Sequence, residues 1–266
     1  MRIALDAMGG DYAPKNTVEG AVLALKEYPY IEKLFLVGDA VATGNELKRL
    51  DFKDARIEIF HASEVVSMKE SAAKAVRHKK DASICRAVDL VKDGSAHAVV
   101  SAGHTGAAVV ACVLKLRTLN GIDRPAIACL LPTQNKVFVL IDGGANPDSN
   151  PENLVQFAIM GSVFSAHVLG YNNPSVALMS TGEEDMQGND VSKEAFKLLK
   201  ASGLNFRGNI EGHDLFEKPA ELVVCHRFTG NVVLKQSPTR YCPGSNSSSS
   251  GIRFASRRSV RRRGRT

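Results

Sequence analysis

Apolar positions along the chain alternate between short, continuous runs and longer stretches with a helical period. The runs at 3–5, 34–37, 57–60, 98–100, 136–141, 176–179 and 222–224 are too short for helices and are bounded by polar residues, glycine or cysteine. They read as buried strands. Between them, residues 16–28 place Val18, Ala21, Val22, Leu25 and Tyr28 on one face, and 45–50, 107–119, 151–169 and 192–200 are helical as well. Residues 69–93 read as two helices broken near His78-Lys79-Lys80-Asp81. Pro151 suits the first position of its helix, where its missing N–H costs nothing. Strand, short loop and helix repeated in this way predict an α/β fold, a doubly wound and mostly parallel sheet. Ligands of such folds bind beyond the carboxyl ends of the strands.

Composition refines this picture at one end of the chain. The net charge is +6, but residues 236–266 contain eight arginines and no acid, which leaves the preceding residues at −2. That tail also contains eight serines and cannot bury an apolar face. It is expected to be disordered, as an out-of-frame or fragmentary end would be. The other reading, an arginine-rich arm for nucleic acid or anionic lipid, lacks interleaved aromatics and a companion basic face. No nucleic-acid partner is therefore expected. Residues 1–235 are expected to form one α/β domain. The chain opens directly on a strand and has no apolar run of the roughly 18–20 residues that span a bilayer, so a cytoplasmic protein is expected. Its five cysteines, Cys85, Cys112, Cys129, Cys225 and Cys242, show no metal spacing and read as reduced.

The chemistry lies in the loops that follow the strands. Asp6-Ala7-Met8-Gly9-Gly10-Asp11-Tyr12-Ala13-Pro14 joins the first strand to a helix that starts near Lys15. Ser101-Ala102-Gly103-His104-Thr105-Gly106, Asp142-Gly143-Gly144-Ala145-Asn146, Ser180-Thr181-Gly182-Glu183-Glu184 and Thr229-Gly230-Asn231 occupy equivalent places. None is a dinucleotide or Walker loop, and there is no nucleophile elbow and no paired-histidine zinc motif. What they offer is small residues, backbone N–H groups, amides and hydroxyls, as an oxyanion or inorganic phosphate requires. Helix capping is the alternative role for each acid in these loops. His104, at a loop apex before a helix, is placed for an anion contact or proton transfer. No metal site and no cofactor is indicated.

The opening nine-residue motif, Ser101-Ala-Gly-x-Thr-Gly-Ala107, Gly144-Ala-Asn146, residues 153–162 and Thr229-Gly-Asn-Val-Val-Leu-Lys235 together resemble the bacterial phosphate acyltransferases, PlsX-type acyl carrier protein:phosphate transacylases. The resemblance runs in order from Met1 to Lys235. It implies a fold similar to phosphotransacetylases and isocitrate or isopropylmalate dehydrogenases. It also implies a homodimer in peripheral contact with the cytoplasmic membrane. The implied reaction is attack of orthophosphate on the thioester of a long-chain acyl group held by acyl carrier protein, giving acyl phosphate for phospholipid synthesis. On this reading Gly9, Gly10, Lys15, Gly103, Thr105 and Gly106 hold phosphate. Asp6 and His104 belong to the catalytic loops, and Asn146 and Asn231 polarise the thioester. The basic joint at Arg77, Lys79 and Lys80 receives the acidic carrier protein.

Three features depart from the family pattern. His104 replaces the usual asparagine, and His226-Arg227 replaces the usual Asp-Gly. The pattern also stops after Lys235. A second expectation follows from these departures, that of an inactive relative that binds carrier protein or membrane as a scaffold.

Overall fold

A computed structural model describes residues 1–133, 136–146, 148–180, 182, 188–217, 220–226 and 233. The described chain forms two compact units, Met1–Arg117 and one opening at Thr118. Its strands fall into two sheets of four and five strands, all parallel except at one edge. The mostly parallel α/β arrangement expected from the sequence is present in both.

In the first unit the elements run β1 (Arg2–Asp6), α1 (Lys15–Glu27), β2 (Lys33–Gly38), α2 (Ala40–Arg49), β3 (Ile57–His61), α3 (Ala72–His78), α4 (Ser83–Lys92), β4 (Ala98–Val100) and α5 (Thr105–Leu116). Strand order is β3-β2-β1-β4. Side chains alternate across a strand, so β2 sends Phe35 and Val37 to one face and Leu34 and Leu36 to the other. The first pair joins Val76, Ile84, Val88 and Ala111 of α3, α4 and α5; the second joins Val18, Ala21 and Leu25 of α1. A sheet buried on both faces explains why its strands read as continuous apolar runs. The break at His78 is real, with α3 ending there and α4 starting at Ser83. Helix α2 begins five residues before the expected start because the Asp39 carboxylate caps it, accepting from the Ala42 N–H at 2.7 Å.

The second unit contains β5 (Ala128–Pro132), β6 (Val137–Ile141), α6 (Pro151–Leu169), β7 (Val176–Met179), α7 (Asp190–Ala201), β8 (Phe206–Ile210) and β9 (Leu222–Val224). The order is β5-β6-β9-β7-β8, with β5 antiparallel to β6. Helix α6 matches its expected bounds. Asn150 and Asn153 form a capping box at its start, and Gly170 ends it at φ +75°. Strands β5 and β8 were not expected. Both lie at sheet edges, where Pro132 is tolerated, and Gly208 (φ +104°) with a register irregularity interrupts the alternation of β8. Among the described residues no helix is long and apolar enough to cross a membrane.

Two contacts fix this second layer. Gly161 lets α6 rest directly on the sheet: a Cβ there would lie 2.5 Å from Leu222 Cδ1 and 3.3 Å from Ile141 Cγ2. Glu221, at the start of β9, ties three strands together. It accepts from the Ser175 N–H (2.8 Å), the Ser175 hydroxyl and Lys136 Nζ (2.9 Å). Burial alone would raise its pKa, but these hydrogen bonds prevail and lower it to about 2.

Replacing Gly161 with alanine should therefore destabilise the fold by about 1–3 kcal/mol, read as a lower urea midpoint. Glu221 binds its proton less readily folded than unfolded, so its contribution is complete above about pH 4.5 and is lost as pH falls towards 2. Acid titration of Glu221→Gln should lack about 1–2 kcal/mol of the stability loss seen in the parent over that range, solvent screening of this partly exposed group included.

Candidate active site

Strands β1 and β4 are neighbours in the first sheet, and their carboxyl ends bring two glycine loops together. The backbones meet at Gly9 and Gly103. A Cβ on Gly103 would lie 3.0 Å from Gly9 Cα, and one on Gly9 would lie 2.8 Å from the Gly103 nitrogen and 2.6 Å from Asp6 Oδ2. Only glycine fits either position. Gly10, at φ +109°, turns the first loop away toward α1.

Asp6 stands behind this crossing. Its Oδ2 accepts from the Ser101 hydroxyl at 2.7 Å, and Ser101 Oγ in turn accepts from the Gly103 N–H at 3.1 Å. The carboxylate of one loop thus orients the backbone of the other through a serine. Asp6 Oδ1 is also buried but has no hydrogen bond of standard geometry. Burial pushes the Asp6 carboxyl up, with Ser83 and then Ser101 opposing the shift. The crossing opens into a small recess lined by the polar Asp6, Ser83, Ser101 and His104 and by the apolar Met8, Val65, Val66, Ile84 and Ala107.

His104 caps α5. Its Nδ1 accepts from the Ala107 N–H at 3.4 Å, which leaves Nε2 as the donor to the Glu70 carbonyl at 3.2 Å. Both ring nitrogens are engaged, one in the helix cap and the other on the segment that holds Glu70. Thr105 and Gly106 are the first and second residues of α5, where backbone N–H groups have no intrahelical acceptor. Lys15 opens α1 and is exposed.

The basic joint divides. Arg77 and Lys80 are exposed. Lys79 is half-buried and turned inward, its Nζ 2.8 Å from both Glu70 Oε2 and the Val65 carbonyl.

The second unit builds its own strand-end loop on Asp142. This fully buried carboxylate accepts from the N–H groups of Ile127 (2.9 Å), Gly144 (3.2 Å), Ala145 (3.0 Å) and Asn146 (2.8 Å). The Asn146 amide also donates to Asp142 Oδ2 (3.1 Å) and to the Pro125 carbonyl (2.8 Å). Both its hydrogens are spent on the loop, so Asn146 shapes the backbone here and offers no free amide donor. Asn231, Thr181, Glu183, Glu184 and Arg227 lie outside the described residues.

Ser83 and Glu70 escaped the sequence reading. Ser83 opens α4 in a stretch with no loop signature, and its nearness to Asp6 is purely tertiary. Glu70 acts through its carbonyl and through a lysine nine positions away, neither of which has a sequence pattern.

Glycine loops at the carboxyl ends of parallel strands, before helix starts, have the form of an anion cradle on an α/β fold. The fold agrees: EutD phosphotransacetylase from Staphylococcus aureus superposes with a TM-score of 0.65 at 18% identity, over 96% of this chain and 87% of that one. A family described as fatty acid synthesis protein matches residues 1–240. The phosphate acyltransferase of Halothermothrix orenii is 49% identical over 88% of this chain and 71% of its own length. That of Pelotomaculum thermopropionicum is 48% identical over 88% and 68%. The chain belongs to the fatty acid synthesis protein family and, within it, to the phosphate acyltransferases.

The raised Asp6 pKa means that folding favours the neutral acid, so this residue subtracts stability as pH rises past about 4. Asp6→Asn should flatten that dependence and raise the urea midpoint at pH 7; an unchanged pH profile would contradict the assignment.

Proposed function

We propose that the chain transfers a long-chain acyl group from acyl carrier protein to orthophosphate, giving acyl phosphate for phospholipid synthesis. The observation that supports this most directly is the crossing of the Gly9 and Gly103 loops in front of the free N–H groups of α5. Small residues, backbone donors and a helix start favour a compact anion over a nucleotide.

Orthophosphate is held between Gly9, Gly10, Gly103, Thr105 and Gly106, with Lys15 adding charge from the start of α1. A phosphate oxygen attacks the thioester carbonyl and its π electrons pass to the carbonyl oxygen. The tetrahedral adduct then collapses, the C–S bond breaks, and the carrier thiolate leaves and takes up a proton. No covalent enzyme intermediate is needed. The demands are positioning and stabilisation of the oxyanion, and the resemblance assigns the second to Asn231. Arg77 and Lys80 meet the acidic carrier protein, while Lys79 serves the fold. A cytoplasmic homodimer in peripheral contact with the membrane completes the reading.

The test is acyl phosphate formation from palmitoyl-carrier protein and orthophosphate. Turnover by the parent chain, with a loss on the order of a hundredfold in Asn231→Ala, is the expected result. Carrier-protein binding by a folded chain without turnover would overturn it in favour of the scaffold reading.

A further inference from the structure

The recess beside the glycine crossing has room for little more than one water-sized molecule. Orthophosphate cannot enter it as it stands. The segment 62–71 between β3 and α3 contributes Val65 and Val66 to its lining.

This segment is fastened along its whole length. At its start, the Ser63 N–H and hydroxyl donate to Asp81 Oδ2 at 2.8 and 2.7 Å, and the Ser83 N–H donates to the Glu64 carbonyl at 3.0 Å. At its far end, Glu70 Oε2 gathers the Ser67 N–H (2.7 Å) and Lys79 Nζ (2.8 Å), and the same ammonium donates to the Val65 carbonyl. His104 Nε2 then holds the Glu70 carbonyl. Gly106 makes this seat possible: a Cβ there would lie 3.2 Å from the Ala72 Cβ and 3.1 Å from His104 Cε1. Of these ties, those of Ser63 and Glu64 to Asp81 and Ser83 hold the start of the segment, and those of Lys79 and His104 hold Val65 and Glu70 to the end of α3 and the start of α5.

We propose that residues 62–71 are a strap that occludes the recess in the resting chain, latched by Lys79, Glu70 and His104, and that orthophosphate enters only when the strap lifts. Lys79 and Glu70 are then positioning residues acting on the strap. The inference rests on the reading that orthophosphate binds at the glycine crossing and reaches it through this recess, which shares Gly9 and Gly103 with that site. A ligand that binds only the lifted form has its apparent affinity reduced by the fraction lifted. Weakening the latch therefore tightens phosphate binding, the reverse of what structural damage or the loss of a nearby cation would do.

The experiment compares the parent chain, Lys79→Met and Lys79→Arg by hydrogen exchange of amides 63–71, by calorimetric titration with inorganic phosphate, and by KM and kcat for phosphate. Expected for Lys79→Met are faster exchange at 63–71 without phosphate and a phosphate Kd and KM lower by roughly threefold to tenfold. Its kcat should stay within about twofold, and Lys79→Arg should restore parental behaviour. In the parent, phosphate should speed exchange at 63–71. Unchanged exchange in Lys79→Met, or weaker phosphate binding by it, would overturn the strap. Glu70→Gln replaces Lys79→Met if the latter fails to fold. If the parent shows no turnover, the enzyme reading fails, while exchange and titration still decide the strap.

Discussion

The first unit depends on a single close approach. Two backbone segments from neighbouring parallel strands cross at Gly9 and Gly103 with no space for a side chain on either. Buried backbone must find hydrogen-bond partners, and here the partner of the Gly103 N–H is Ser101, itself held by Asp6. A carboxyl buried beside the crossing is expensive to ionise, which is why burial raises its pKa. The same geometry that exposes backbone donors to a ligand thus requires an acid kept out of water. The sheet supplies the rigidity: Asp6 is paired along β1 with Val37 of β2, and the core on both faces fixes where the strand ends.

The second unit solves a similar problem with more hydrogen bonds. Asp142 also follows a strand, but it is surrounded by five donors from Ile127, Gly144, Ala145 and Asn146. Five donors converge on this one side chain, and the loop after β6 is organised around it. Asp6, with one standard hydrogen bond, organises its loop while itself favouring the neutral form. Aspartate after a strand looks the same in both stretches of sequence; the number of N–H groups turned toward it separates the two.

Much of the fold was legible because its signals are local. Pro151 and Gly170 bracket α6, and the break at His78 divides α3 from α4, so those elements fall where periodicity puts them. Strands β5 and β8 were missed because edge strands bury little: only Ile210 of β8 is fully buried, and β5 ends in a proline that a central strand would exclude. In the site, glycines and helix starts were readable, since their roles follow from backbone geometry. The roles of Lys79, Asn146 and His104 were not. Each depends on which group meets the side chain in space, and a lysine in a basic run gives no sign of a carboxylate and a carbonyl waiting beneath it.

The four described cysteines are all buried, Cys85 and Cys112 in the first unit and Cys129 and Cys225 in the second. Burial holds every one of these thiols above its ordinary pKa, the Cys112 and Cys129 thiols at about 11, so the reactive thiolate is scarce while the chain is folded. Among the described residues each unit therefore contains its own pair of silent chemical clocks. A thiol reagent reaches them only through opening, so their alkylation rates, resolved by mass, time the breathing of each half separately.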